Sequence, residues 1–182
     1  MEFKVGMSHE YFKPSLTSHQ KEIVRAIYSQ DIQLLLDLDI YSEKVNMNFS
    51  VTEDDLTPLM IACSLGSVQV VNLILKTQHI QLDWVDKEGN TCLAYAATFG
   101  FKKIIKILAE KNPSYGYLYV AASNGLTCLH IAAKKGYLSI VKFLVTGIEM
   151  NEYKHRITLS DTVEVEAENE FARQLTYKKE AT

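Results

Sequence analysis

The chain has 182 residues, with 19 Lys and Arg against 22 Asp and Glu, for a formal charge of −3. Hydrophobic residues make up 47% and charged residues 23%, ordinary globular values that exclude a disordered acidic tail, a collagen-like fibre and a strongly basic nucleic-acid binder. With 3 Pro and 8 Gly the chain is also poor material for a turn-rich β-sandwich, and where the glycines fall says more than how many there are.

In chain order, residues 1–16 read as an N-terminal extension that lacks the apolar core of a secretory signal. Residues 17–51 carry Ile23-Val24-Arg25-Ala26-Ile27, then Leu34-Leu35-Leu36, which predicts two short amphipathic helices. Residues 52–85 hold Thr57-Pro58-Leu59-Met60-Ile61-Ala62-Cys63-Ser64-Leu65-Gly66, followed by the apolar run Val70 to Leu75. Residues 86–121 repeat the arrangement from Thr91 to Gly100, with a second run from Ile104 to Leu108. Residues 122–156 do so again from Thr127 to Gly136, with a run from Ile140 to Leu144. The threonines are 34 and 36 residues apart, and so are the closing glycines. Each unit therefore predicts a short helix, a glycine turn and a longer helix. Thr supplies a hydroxyl to cap free backbone N–H groups, and Pro58 suits the first helical position, where a missing N–H costs nothing. Gly89 and Gly125, two residues before their threonines, suit tight turns, and Asp55 occupies the matching position ahead of Thr57.

Downstream, Thr162 lies 35 residues beyond Thr127 and Ala167 follows it five later, but Glu164 stands where the other units have Leu. Residues 157–182 are therefore expected to form a degenerate C-terminal cap, with Phe171 and Leu175 facing inward. The extra length of the second clear unit is expected to fall at residues 112–119, and the connection 147–161 to be long and polar.

On these motifs the chain resembles the ankyrin-repeat family, whose signature is T-P-L-H-x-A in a unit of about 33 residues. Thr57-Pro58-Leu59 and Leu129-His130-Ile131-Ala132-Ala133 carry the resemblance best, and its clear part covers about residues 52–147. It implies an all-α solenoid of stacked helix-turn-helix units between degenerate N- and C-terminal capping units. It also implies a protein–protein interaction module (adaptor, scaffold or inhibitor) that is not an enzyme. The alternative is a regulatory subunit or a fragment of a larger enzyme or channel.

Family binding surfaces flank the turn before Thr and the pair before the helix-ending Gly. Carried over, these are Glu53, Asp54, Leu56, Ser64 and Leu65, then Lys87, Glu88, Asn90, Thr98 and Phe99, then Ser123, Asn124, Leu126, Lys134 and Lys135. Leu56, Leu65, Phe99 and Leu126 are expected to face solvent, with Trp84 as an aromatic anchor beside the second turn. Such side chains either line a partner groove or cover gaps between irregular units. Tyr115, Tyr117 and Tyr119 offer a second contact strip or local packing. Lys102, Lys103 and Lys106 with Lys134 and Lys135 form a basic patch or a solvated face.

Catalysis and cofactors find no support. Cys128 and His130, two apart at a helix start, diverge, so they do not make a nucleophile–base pair. The resemblance gives His130 a role in hydrogen-bonding backbone. Cys63, Cys92 and Cys128 read as small buried hydrophobes, no Cys/His set has zinc spacing, and no glycine-rich phosphate loop is present. The expectation is a monomer in the cytoplasm or nucleus, with no cofactor, no metal, no nucleic acid and no membrane, whose partner is another protein.

Overall fold

The computed structural model describes residues 12–111 and 125–149. Among them the chain forms eight α-helices and no strand: α1 (Ser18–Ser29), α2 (Ile32–Asp37), α3 (Pro58–Leu65), α4 (Val68–Leu75), α5 (Cys92–Thr98), α6 (Lys102–Lys111), α7 (Cys128–Lys134) and α8 (Leu138–Glu149). The helices pair in sequence, α1 with α2 through α7 with α8. The odd-numbered helices form one layer, α1 on α3, α3 on α5 and α5 on α7, while α4, α6 and α8 stack as a second layer behind them.

Each inner helix starts because a side chain satisfies its first N–H groups. Thr57, Thr91 and Thr127 accept from the backbone N–H three residues on, at 3.3, 3.3 and 3.4 Å. Thr17 does the same for α1, and Gln20 returns a bond to the Thr17 N–H, closing a capping box worth about 1 kcal/mol. So the first helix pair lacks the Thr-Pro start but keeps the threonine. α3 ends at Gly66 in the left-handed region, and Gly100 and Gly136 take the same conformation after α5 and α7.

Small residues let the inner layer close up. In α5 every residue from Cys92 to Ala97 is buried, and in α3 every residue from Pro58 to Cys63. A helix apolar on all sides is stable only when covered on all sides, which here means by the units before and after it and by the outer layer. The cysteines lie in this layer as expected: Cys63, Cys92 and Cys128 are all buried, and burial pushes the thiols of Cys63 and Cys128 upward in pKa.

The helices differ from the sequence reading at three places. α3 and α4 have 8 residues each, so the outer helix of that unit is not the longer one. α8 continues to Glu149, so residues 147–149 belong to a helix rather than to a polar connection. In α2 only Leu35 is buried, while Leu34 and Leu36 are exposed. Residues 112–119, with Tyr115, Tyr117 and Tyr119, and the C-terminal segment 157–182 lie outside the described residues.

Candidate interaction surface

Between α2 and α3, and again between α4 and α5, the chain makes a turn that projects from the inner layer. The first closes with the Val51 N–H on the Leu56 carbonyl at 2.7 Å, and Asp55 adopts φ 64° where the next two units have Gly89 at 79° and Gly125 at 78°. A non-glycine residue is strained in this region unless its side chain finds local partners. Asp55 has them, since its carboxylate accepts from Ser50 Oγ at 2.8 Å and pairs with Lys13 Nζ. Those two bonds, led by Lys13, hold its carboxyl below the usual carboxylate range.

The second turn is organised by Asp86, which is only 6% exposed. Its Oδ1 accepts from the N–H groups of Glu88 and Asn90 at 2.9 and 2.8 Å, and its Oδ2 accepts from Asn90 Nδ2 at 3.1 Å and Tyr95 Oη at 2.6 Å. A buried carboxylate is tolerable because four donors replace its water. Burial and then the Asp86 bond drive the Tyr95 phenol well up in pKa.

Consecutive turns are tied together. The Lys87 N–H donates to the Asp54 carbonyl at 3.0 Å, fixing one tip against the next. Asn48 does the same at the base: its Nδ2 donates to the His79 carbonyl and its Oδ1 accepts from the Gln81 N–H, both at 2.8 Å. These are the groups that sequence reasoning missed. Asp86 had a local signal, an Asp whose carboxylate can reach the N–H two residues on. Asn48 had none, because its partners are 31 and 33 residues away.

Of the residues expected to contact a partner, Asp54, Lys87 and Glu88 are exposed at the two tips and Asn90 is half-buried behind them. Lys134 and Lys135 are exposed at the end of α7. The exposed charge along the inner face thus runs from acidic at Glu53 and Asp54, through mixed at Lys87 and Glu88, to basic at Lys134 and Lys135. Leu56 corrects the expectation that it faces solvent: it is 6% exposed, drawn inward by the Val51 bond that closes its turn. Leu65, Trp84 and Phe99 are half-buried against the core, Phe99 also stacked on Phe101 at 6.2 Å between ring centres, and Leu126 is half-buried. Asn124 lies outside the described residues.

In the expected basic patch Lys103 and Lys106 are exposed and Lys102 is half-buried, with Lys106 Nζ 5.4 Å from the Phe143 ring centre. His130 serves its own helix, its Nδ1 accepting from the Thr127 N–H at 3.3 Å and lying 2.8 Å from Thr127 Oγ1. Among the described residues no group of three or more His, Cys, Asp or Glu could hold a metal ion, and no helix is long and apolar enough to cross a membrane.

A row of helix pairs with turn tips bonded in register is a solenoid of short helical repeats, in which each unit is completed by its neighbours. The family model described as ankyrin repeats (3 copies) matches residues 23–118 and again residues 86–154, more than half of the chain. The chain belongs to the ankyrin-repeat family. Ankyrin repeats generally mediate protein–protein interaction and are typically non-enzymatic.

Proposed function

We propose that this chain recognises a partner protein, as an adaptor, scaffold or inhibitor, along the tips at Glu53–Asp54 and Lys87–Asn90 and toward Lys134 and Lys135. The observation that carries the reading is the Lys87 to Asp54 backbone bond, which sets the spacing of the two exposed tips before any partner arrives. Binding to such a surface loses little ordering entropy. With Leu56 buried and Leu65, Trp84 and Phe99 committed to the core, recognition rests on the charged tips more than on an apolar groove. Charge contacts of this kind steer encounter and select the partner, and they weaken with salt.

The test is affinity capture with the wild-type chain and with the double variant Asp54→Lys, Lys87→Glu, at low and high salt. Both side chains are exposed, so the variant retains its circular dichroism and unfolding midpoint. A partner held by the wild type and lost by the folded variant supports the reading. A partner retained equally by both, at both salt concentrations, refutes it.

A further inference from the structure

Charge is segregated along the stack more sharply than a formal total of −3 suggests. Residues 91–109 and 125–148 hold six lysines, Lys102, Lys103, Lys106, Lys134, Lys135 and Lys142, and neither Asp nor Glu. Exposed acids crowd the other end, with Glu22, Asp31, Asp37 and Asp39 around the first helix pair and Glu53 and Asp54 on the first tip.

Two contacts gather the lysines of successive units. A Cβ on Gly100 would lie 2.9 Å from the hydroxyl-bearing carbon of Tyr137, so the Tyr137 ring is seated on the glycine. Lys102 and Lys103 follow Gly100 by two and three residues, and Lys134 and Lys135 precede Tyr137 by three and two. The contact therefore brings onto one edge two lysine pairs that are 32 residues apart in the chain. Across the same junction, Lys106 Nζ of α6 lies 5.4 Å from the centre of the Phe143 ring in α8. Lys103, Lys106, Lys134 and Lys135 are exposed. Leu138, the residue after Tyr137, is 42% exposed and gives this basic edge an apolar step. The acid on α6, Glu110, stands about 10 Å further along the helix than Lys103.

We infer that this edge receives a short acidic segment of the partner protein, its carboxylates on Lys103, Lys134 and Lys135 and one apolar side chain on Leu138. The inference rests on the partner reading above and names the chemistry of what meets its basic end. Spacing and sign both select such a segment. Packed helices lie about 8–10 Å apart, which is about three residues of extended chain, so acids three apart reach lysines of successive units. A long polyanion, whether nucleic acid or an anionic membrane, would also meet Glu53, Asp54 and the net negative charge of the chain. A short segment meets only the lysines.

Fluorescence anisotropy tests it with a labelled peptide that has Glu at every third position and one central Leu, beside a counterpart with Gln for each Glu. At low salt the wild type is expected to bind the Glu peptide at least about tenfold more tightly than the Gln peptide, and added salt narrows the gap. Lys103→Gln, Lys134→Gln, Lys135→Gln is expected to remove that preference, and Leu138→Ser to weaken the Glu peptide about threefold. All four side chains are exposed, so these variants keep the wild-type circular dichroism. Should the triple variant fail to fold, Lys135→Gln alone replaces it, with a loss of about threefold expected. The tip variant Asp54→Lys, Lys87→Glu leaves the peptide's affinity unchanged, so failure of this inference and failure of the tip reading are told apart. Equal binding of the two peptides by the wild type overturns the inference, and so does a preference that survives loss of the three lysines. Phosphatidylserine vesicles or duplex DNA bound as tightly as the Glu peptide also overturn it, because the edge would then take any polyanion.

Discussion

Gly66→Ala tests how the units are held together. Two separable effects oppose the substitution. Gly66 has φ 73°, a conformation that costs an alanine roughly 1–2 kcal/mol. The new methyl group would also lie 2.5 Å from the Phe101 ring, well inside contact distance. Phe101 is half-buried and stacked on Phe99, so it gives way only by opening the junction between the units, an overpacking penalty of about 1–3 kcal/mol. Loss of glycine's freedom in the unfolded chain returns about 0.4–1 kcal/mol. The net expectation is a destabilisation of roughly 2–4 kcal/mol in urea unfolding. Gly125→Ala supplies the control. Gly125 has φ 78° but nothing within 4 Å of its added Cβ, so only the backbone penalty of about 1 kcal/mol remains. The excess of Gly66→Ala over Gly125→Ala isolates the ring contact, and pairing Gly66→Ala with Phe101→Ala in a double-mutant cycle measures it again. Equal effects at the two glycines, together with additivity in the cycle, would refute the claim that the ring reads the missing Cβ.

Asp86→Ala removes an acceptor of four hydrogen bonds and leaves the buried Tyr95 hydroxyl without it; about 3–4 kcal/mol of stability is expected to go, against about 1 kcal/mol for Tyr95→Phe, both read by chemical denaturation. Asn48→Ala cuts two bonds to the loop at His79 and Gln81 and is expected to cost about 1–2 kcal/mol, with faster amide exchange confined to residues near 79–81. Burial lifts the Tyr28 phenol from 10.0 to about 12, so the folded chain holds that proton more tightly than the unfolded one. Its contribution is intact below pH 10 and is lost between pH 10 and about 12, with Tyr95 acting in the same direction; Tyr28→Phe should flatten the loss in an alkaline stability titration.

The parts of the fold that were legible are those written in short-range chemistry. Thr57, Thr91 and Thr127 cap N–H groups three residues away, and Gly66, Gly100 and Gly136 take a conformation few other residues accept. Asp55 was legible for the same reason, as a stand-in for glycine within a four-residue turn. The surface was read less well, because exposure is settled across units. Leu56 sits at a position expected to be open, yet the turn that contains it folds it inward. Leu65 and Phe99 end their inner helices on the expected side but are half-covered by residues of the core. The ties that hold the tips, Asn48 to the 79–81 loop and Lys87 to Asp54, join residues about 33 apart and leave no trace in either local segment.

The buried cysteines give the stack three internal clocks. Cys63, Cys92 and Cys128 belong to successive units and are all buried in the closed state. Burial also suppresses the thiolate at Cys63 and Cys128, so a thiol reagent in solution reacts with them only after a junction has opened. Labelling rates at the three positions therefore time the separation of each junction without any reporter having to be introduced. Three equal rates describe a stack that opens as one body, and a graded series describes one that peels from an end.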